Sequence, residues 1–198
     1  MSAAICAIVV AFVITLPWPA AAVGPGTVGT APGRRIRCMA MPEITLDPIT
    51  DEEFAAWLLP AVENLAREHV VSGQWAPEEA LEFSKGQFIR LLPDGPRSDQ
   101  QHLYTVRDAA DGDAVGTLWI GMRRKAGRLE AYVYDLVVRQ ERRGLGYGRA
   151  AMLAGVARAR ELGAQSLGLH VFGHNAVARE LYDSLGFVET NISMSLAL

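Results

Sequence analysis

Three glycines at alternate positions, Gly144, Gly146 and Gly148, separate a strand-like segment from a helix-like one. Residues 131–138 are rich in β-branched and aromatic side chains, which is typical of a strand buried on both faces. Residues 149–162 carry apolar side chains at helical spacings of three and four. In a turn without Cβ atoms, backbone N–H groups can converge on an anion, and the positive end of the next helix adds to the attraction. The stretch therefore predicts a phosphate-binding site.

The spacing of the glycines and the residues after them distinguish between kinds of phosphate-binding loop. A Walker-type nucleotide loop needs Lys followed by Ser or Thr after its last glycine, whereas Arg149 and Ala150 follow Gly148. A dinucleotide loop needs the spacing G-x-G-x-x-G and an acidic residue about 20 positions further on. Here the spacing is G-x-G-x-G and the corresponding position is Gly168. Neither chemistry is expected.

A second group of polar residues follows on a predicted helix. Asn175 and Tyr182 are seven residues apart, which is nearly two turns of about 3.6 residues each. Both side chains can therefore face one side of the helix, with the small Ala178 between them. Asn175 also suits the N-cap of this helix, and Gly186 suits its end. A purely structural pair, with Asn175 as a cap and Tyr182 as a half-buried aromatic residue, stays open.

The other patterns predict two helices followed by the order β-β-β-α-β-α-β. Thr50 and Glu53 form a capping box for the first helix, which Pro60 is expected to kink or divide. The first three strands suggest an antiparallel meander, and the later helix between two strands suggests a parallel βαβ unit. The remaining predicted elements are a helix at 77–91, strands at 103–106, 114–120 and 166–172, a helix at 175–186, and one or two closing strands at 187–195.

Composition limits the class of protein. Half of the 198 residues are hydrophobic and 21% are charged, which fits one globular domain with its own core. Both cysteines, Cys6 and Cys38, lie in the first 40 residues, so the rest has no disulfide scaffold, cysteine nucleophile or Cys-ligated zinc. Beyond Pro42 there are 16 basic and 22 acidic residues, a net charge of −6, which gives no support for nucleic-acid binding.

Residues 1–40 differ from the rest and are expected to be a leader before a single domain at 41–198. The apolar run 3–16 resembles the core of a secretory signal, but no Lys or Arg precedes it. It also ends well short of the roughly 20 residues that a spanning helix needs. Three interpretations stay open: an over-extended start with the natural protein beginning near Met39 or Met41, an export signal, and a weak membrane anchor.

The glycine turn and the later helix together resemble the two signatures of the GCN5-related N-acetyltransferase (GNAT) superfamily. Residues 143–148 resemble its acyl-CoA pyrophosphate loop. Residues 170–187 resemble its second signature, a strand, an Asn, and a helix carrying Ala and Tyr before Gly-Phe. The resemblance covers residues 42–198. It implies a mixed α/β (α+β) fold with a central, mostly antiparallel sheet, a βαβ unit, strands splayed around the acyl-CoA site, and helices on both faces.

The same resemblance implies an acetyl-CoA-dependent N-acetyltransferase. Such an enzyme moves an acetyl group to a primary amine by direct attack in a ternary complex, with acetyl-CoA as co-substrate and no metal. The expected acceptor is a small-molecule or peptide amine, and the acidic body weakly suggests a cationic one. No nucleic-acid or membrane partner is expected, a homodimer stays open, and the expected location is cytoplasmic because the cofactor is there. A non-catalytic acyl-CoA-binding regulatory or interaction module is the alternative.

Site residues carried over by position are implied by the resemblance alone. Tyr182 would donate a proton or a hydrogen bond to the CoA sulfur. For the general base, Tyr132 stands where the histone-acetylating branch has a Glu; Glu130, on the same strand face, is the first candidate. Asp135, expected on the opposite face, is the second, and a solvated Glu130 with no role stays open. The implied cofactor-binding residues are Leu136, Val137, Val138, Arg143, Gly144, Leu145, Gly146, Tyr147, Gly148, Arg149, Asn175 and Tyr182, and Arg142 is a further candidate for a phosphate contact.

Overall fold

Residues 41–194 and 196 are described by a computed structural model, and the predicted leader, residues 1–40, lies outside them. The described part of the chain begins with a short strand, continues with two helices, and then alternates strands and helices. In chain order the elements are β1 (Ile44–Pro48), α1 (Asp51–Val71), α2 (Pro77–Leu91), β2 (Gln101–Asp108), β3 (Ala114–Lys125), β4 (Arg128–Val138), α3 (Tyr147–Glu161), β5 (Ser166–Leu169) and α4 (Ala176–Ser184).

The strands form a five-stranded sheet in the order β1-β2-β3-β4-β5. The first three pairings are antiparallel, and β4 pairs with β5 in parallel. Because α3 connects these two strands, β4, α3 and β5 make the predicted βαβ unit. The mixed α/β fold with a mostly antiparallel sheet is therefore confirmed.

Helices cover both faces of the sheet, as expected. On one face, Trp57 of α1 packs against Trp119 of β3, with ring centroids 5.7 Å apart. On the other face, Met152 of α3 and Tyr182 of α4 belong to a core cluster with Leu118 of β3. Neighbouring strand residues point to opposite faces, so Leu118 and Trp119 divide the interior into two layers. The functional side chains described below come from both layers.

The first strand is a correction to the predicted order, which places two helices first. β1 pairs antiparallel with β2, with Leu46 opposite Val106. It is a five-residue edge strand that contains Asp47 and ends at Pro48. Both residue types are depleted in strands, and Pro is tolerated there at an edge. The local pattern therefore gave no strand signal, and pairing with β2 supplies the stabilisation.

The ends of the later strands also differ from the prediction. β5 stops at Leu169 instead of continuing to residue 172, because Phe172 turns into the layer below α1, where it is 4% exposed and packs against His69. The prediction of closing strands at 187–195 is wrong for the described residues 187–194, which contain no strand. Residues 188–194 are exposed, and Arg179 of α4 forms an ion pair of 2.7 Å with Glu189.

Helix α1 begins as predicted but is not divided. The N–H of Glu53 donates to Oγ1 of Thr50, and the N–H of Thr50 donates to the Glu53 carboxylate, so the capping box is confirmed. Pro60 lies inside the helix, which continues to Val71. Proline has no N–H for the carbonyl four residues earlier, that of Ala56. The helix accommodates this loss, because both residues lie at the surface beside a cavity described below.

Candidate active site

The sheet opens into a gap between β4 and β5. The two strands pair only over Glu130–Val133 and Ser166–Leu169, after which β4 continues to Val138. In the described part of the chain, residues 134–138 of β4 therefore have no strand partner on the β5 side. Backbone groups on that edge can pair with an extended ligand as a neighbouring strand would. This gap matches the splayed strands that the resemblance implies.

A β-bulge lies where the gap begins. Trp119 of β3 pairs with Asp135, whereas its neighbour Ile120 pairs with Val133, so Tyr134 is an extra residue on β4. The bulge changes which face the next side chain reaches. Asp135 points towards α1, where the indole Nε1–H of Trp57 donates a hydrogen bond of 2.8 Å to its Oδ2.

The prediction that Asp135 and Glu130 lie on opposite faces is therefore wrong. The Arg123 guanidinium contacts both the Glu130 carboxylate and the Tyr132 ring, and Tyr132 shares a core cluster with Trp57. Glu130 and Asp135 thus point to the same layer. Strict alternation would separate them, but one inserted residue restores the same side.

Asp135 is a carboxyl group with little access to water. Asp135 is 3% exposed. Burial raises the pKa of the Asp135 carboxyl from its ordinary value of 3.8 to about 7, although hydrogen bonds from Trp57 and from the backbone of Leu136 favour the charged form. A carboxyl group with this pKa can take up and release a proton near neutral pH.

Tyr182 of α4 is the other buried proton-bearing group at the gap. It is 3% exposed, and its hydroxyl has no hydrogen-bond partner among the described residues. Burial raises the pKa of the Tyr182 phenol, and the neighbouring Asp135 carboxylate raises it further. The hydroxyl therefore keeps its proton and makes no hydrogen bond to a described residue, which suits a hydrogen-bond donor to a bound ligand.

Asn175 and Ala178 have the positions that the helical spacing predicts. The Oδ1 atom of Asn175 accepts a hydrogen bond of 3.1 Å from the N–H of Ala178, so Asn175 caps α4. Ala178 is fully buried, and Tyr182 follows one turn later in the same cluster. The cap fixes the start of the helix and with it the direction in which Tyr182 enters the core.

The glycine turn provides an open helix N-terminus. Gly144 and Gly146 have φ angles of +72° and +92°, which side chains other than glycine rarely adopt. Gly146 is the N-cap of α3, where no side chain caps the helix. The N–H groups of the first turn, which includes Tyr147, Gly148 and Arg149, therefore remain open to an anion. Leu145 lies between these glycines and is exposed.

The arginines of the turn have different partners. Arg143 donates from Nε to the carbonyl of Val138 at 3.1 Å, which ties the turn to the end of β4. Arg149 donates to the Ser184 hydroxyl. Arg142 is ion-paired with acidic residues of the β2–β3 turn, at 2.9 Å from Asp113. Arg142 is thus paired with carboxylates and holds the turn in place. Arg143 and Arg149 have neutral hydrogen-bond partners, so they are the better candidates for binding an anionic ligand.

Tyr147 has a structural contact that the sequence did not indicate. Its ring is buried, and its hydroxyl donates to the carboxylate of Asp108, at the end of β2. This contact attaches the start of α3 to the neighbouring β2–β3 turn. Only the backbone of Tyr147 is then available to an anion at the helix N-terminus.

Glu130 lies in the closed part of the sheet. It is 5% exposed and forms ion pairs of 2.7 Å with Arg123 and 3.5 Å with Lys125. It is five residues before Asp135, or about 17 Å along an extended strand at about 3.4 Å per residue. Its charge is compensated by two cations and it faces the paired part of β5. Its role as a general base stays a prediction.

A cavity of about 270 Å³ lies between α1 and the sheet, beside the end of β4. Its lining includes Trp57, which is the bonding partner of Asp135, and Val137, in the part of β4 that extends beyond its pairing with β5. The Glu53 carboxylate in its wall is already bound by Arg107. The lining residues are Glu53, Ala56, Trp57, Pro60, Ala61, Asn64, Thr105, Ala114, Gly116, Thr117, Val137 and Arg139.

Sequence reasoning missed most of this cavity wall and the contact of Trp57. Trp57 and Asp135 are 78 positions apart, so no local spacing relates them.

Nowhere among the described residues do three His, Cys, Asp or Glu side chains meet in a way that could hold a metal ion. None of the helices in the described part of the chain is long and apolar enough to cross a bilayer.

The chain is similar to an acetyltransferase family and to proteins named as its members. The sequence profile of the acetyltransferase (GNAT) family matches residues 59–187. YycN, an uncharacterized N-acetyltransferase of Bacillus subtilis, is 39% identical over 155 residues, which cover 78% of this chain and 99% of that protein. Its crystal structure matches with a TM-score of 0.74 and 38% identity, over 79% of this chain and 99% of that one.

A more distant relative has a more specific name. The mycothiol acetyltransferase of Thermobispora bispora is 31% identical over 153 residues, which cover 76% of this chain and 47% of that protein. This chain therefore spans about half the length of that relative. The gap between β4 and β5, the open N-terminus of α3 and the extent of the similarity to YycN agree with one another. The chain belongs to the acetyltransferase (GNAT) family and is an acetyltransferase.

Proposed function

We propose that the protein transfers the acetyl group of acetyl-CoA to a primary amine by direct attack, with both substrates bound together. The observation that carries this proposal is the open edge of β4, which leads in the chain to the uncapped N-terminus of α3 and whose Asp135 interacts with Tyr182, a residue with an unpartnered hydroxyl among the described residues. The enzymes among the relatives favour it over a non-catalytic acyl-CoA-binding module.

The residues present fit acetyl-CoA, which supplies an acetyl group activated as a thioester. The N–H groups at Gly146, Tyr147 and Gly148 would bind its pyrophosphate, assisted by Arg143 and Arg149. A side chain at Gly146 is disfavoured by its φ of +92° and by Pro42, whose Cδ would lie 3.1 Å from an added Cβ. The turn is thus kept free of side chains where a phosphate would approach.

The end of β4 would hold the pantetheine arm and polarise the thioester carbonyl. Backbone groups of alternate strand residues point to the same edge, and Val137 pairs with Thr117 of β3, so Leu136 and Val138 would present N–H and C=O groups on the open edge. An N–H group fixed in a strand is a prepared donor for an oxygen that gains negative charge. The carbonyl of Val138 is already bonded to Arg143 and the N–H of Leu136 to the Asp135 carboxylate, so the C=O of Leu136 and the N–H of Val138 are the groups proposed for the ligand.

Tyr182 would protonate the departing sulfur. Burial keeps its pKa above the ordinary value, so the hydroxyl carries its proton at neutral pH. Because no described residue accepts a hydrogen bond from this hydroxyl, donation to a ligand costs no existing bond. Asn175 would act through the helix, by fixing the start of α4 and thereby the position of Tyr182.

We place the acceptor amine in the cavity between α1 and the sheet, which meets the open edge of β4 at Val137. Its wall combines apolar surface from Trp57 and Ala61 with polar groups such as Asn64. This composition suits a small molecule or a peptide end that carries the amine. The mycothiol acetyltransferases among the relatives make a mycothiol-type acceptor one to test. We place the reaction in the cytoplasm, where acetyl-CoA is available.

The test is a panel of amines with acetyl-CoA and a measurement of thiol release, preceded by calorimetric titration with acetyl-CoA. The panel should contain polyamines, amino acids, peptides, amino sugars and mycothiol-type amines. We expect acetyl-CoA binding and thiol release that depends on the amine. Binding without thiol release for any amine would favour the non-catalytic module, and a lack of binding would remove the proposed cofactor site.

A further inference from the structure

We propose that Asp135 accepts the proton of the acceptor amine. Trp57 positions the Asp135 carboxylate and favours its ionised form by a hydrogen bond. This inference rests on the proposed acetyl transfer and assigns a residue to the step for which the sequence leaves two candidates. Its structural basis is the β-bulge at Tyr134, which sends the carboxylate of Asp135 to the α1 side of the sheet.

The bulge gives Asp135 a place at the reaction centre. It is the second residue of β4 beyond Val133, the last residue that pairs with β5. Its backbone therefore lies in the open edge that would hold the thioester. On the α1 side it is held by Trp57, which also lines the cavity proposed for the amine. Through Trp57, Asp135 thus adjoins the cavity proposed for the amine as well as the strand edge proposed for the thioester.

The chemical surroundings of Asp135 suit a base. From α1 it meets the neutral indole of Trp57, and from α4 the titratable group that interacts with it is the Tyr182 hydroxyl, which is neutral at pH 7. Burial raises the pKa of the carboxyl to about 7. A base is most effective when its pKa lies near the working pH, because it is then both deprotonated and able to hold a proton.

Glu130 has the opposite surroundings. Arg123 and Lys125 hold its carboxylate, and it lies on the part of β4 that is covered by β5. Both oxygens of this carboxylate therefore contact cations, and an acceptor amine would have to displace them. Removing its charge would also leave Arg123 without this partner in a region where Glu130 is 5% exposed.

The proton balance needs both Asp135 and Tyr182. The amine enters as an ammonium ion, and Asp135 takes one proton from it, which leaves a nitrogen lone pair. When the new C–N bond forms, the C–S bond breaks and its electron pair goes to sulfur, which takes the proton of Tyr182. The nitrogen then loses its second proton, which restores Tyr182, and Asp135 returns its proton to water. The net products are the amide, the free thiol and one proton.

The decisive variant is Asp135→Asn, measured as kcat/KM across pH. Asn can still accept the hydrogen bond from Trp57, so the fold and acetyl-CoA binding should remain. In the unsubstituted protein we expect kcat/KM to rise with pH around a midpoint near 7. In Asp135→Asn this rise should disappear and kcat/KM at pH 7.5 should fall by about 10²-fold or more. Glu130→Gln should retain the midpoint near 7.

Trp57→Phe tests the positioning role through the pH profile. The indole hydrogen bond lowers the pKa of Asp135, so its loss should move the midpoint of kcat/KM to higher pH. The matched control is Trp119→Phe, because the Nε1–H of Trp119 in the same cluster donates to Gln101 instead, at 2.8 Å. That variant should leave the midpoint in place even if packing changes lower the rate.

The outcomes separate this inference from the proposed function. Equal kcat/KM and pH profiles for Asp135→Asn and the unsubstituted protein would overturn the role of Asp135 and leave acetyl transfer intact. A loss of the pH-dependent rise in Glu130→Gln alone would assign the base to Glu130. Absence of thiol release by the unsubstituted protein with every amine would overturn the proposed function. In that case, the NMR chemical shift of the Trp57 indole N–H, followed across pH, still tests the contact between Trp57 and Asp135. A chemical shift that does not change around pH 7 would contradict the ionisation of Asp135 in that range.

Discussion

Trp57 and Asp135, 78 positions apart in the chain, are joined by a hydrogen bond of 2.8 Å in the interior of the protein. The bond connects α1 to the bulge of β4, where the sheet begins to open. It also connects the wall of the cavity beneath α1 to the strand edge that would bind the thioester. One contact between distant segments thus relates the two proposed substrate sites.

Tyr182→Phe should separate catalysis from stability. Loss of the hydroxyl should lower kcat by about 10²-fold, because the departing sulfur then lacks its proton donor. Acetyl-CoA affinity should change little. Since the buried hydroxyl has no described partner, its removal should raise the free energy of unfolding by up to about 1 kcal/mol. Turnover assays, calorimetry and urea unfolding measure the three quantities, and an unchanged kcat would contradict the role of Tyr182.

Gly146→Ala and Gly148→Ala form a matched pair in the glycine turn. Gly146 has a φ of +92°, so Ala there should cost about 1–2 kcal/mol of stability. Gly148 lies inside α3, where an added Cβ would meet Leu181 at an ordinary 3.5 Å. Gly148→Ala should therefore be neutral or stabilising in urea unfolding. Equal destabilisation by both substitutions would argue against the backbone conformation of the turn.

Pro60→Ala should stabilise the protein. Ala supplies the N–H that α1 lacks at this position, so the free energy of unfolding should rise by about 1–3 kcal/mol. The control is Pro77→Ala at the first turn of α2, where the N–H that alanine introduces has no helical partner and the change should be close to zero. If urea unfolding gives the same shift for both variants, the proline inside α1 is not a site of lost hydrogen bonding.

His69 should make the fold sensitive to mild acid. It is fully buried, stacked on Trp75 at 3.7 Å, and burial lowers its pKa to about 4. The unfolded chain, with the ordinary value of 6.5, binds the proton first as pH falls. The contribution of His69 to stability should therefore fall below pH 6.5, by about 1–2 kcal/mol at pH 5, and level off below about pH 4, whereas Asp135, with its folded pKa raised to about 7, contributes in the opposite direction.

The variant His69→Asn checks this pH dependence. Its amide can keep a hydrogen bond to Gln74, the partner of His69 Nδ1, and does not titrate. The difference in unfolding free energy between the two proteins should narrow as pH falls from 7 to 5. A constant difference across this range would show that His69 does not contribute to acid sensitivity.

Local signals predicted the elements that depend on neighbouring residues. Three such elements are the capping box at Thr50 and Glu53, the glycine turn and the helix from Asn175 to Tyr182. Each is stabilised by contacts between residues a few positions apart. Their conformations follow from residue types at fixed spacing, so they are readable without the fold. The resemblance to the acetyltransferase family rested on the same short stretches, and the family profile agrees with it.

The sequence by itself thus determined the family, the mixed fold and the local conformation of the turn and of the helix that carries Tyr182. Only the tertiary structure decided which face Asp135 occupies, because the bulge at Tyr134 depends on how β4 pairs with β3. A shift of one residue exchanges the faces of every following side chain, and no local pattern specifies that register. Likewise, the ion pairs of Glu130 and the hydrogen bond of Trp57 form only when distant strands and helices pack together.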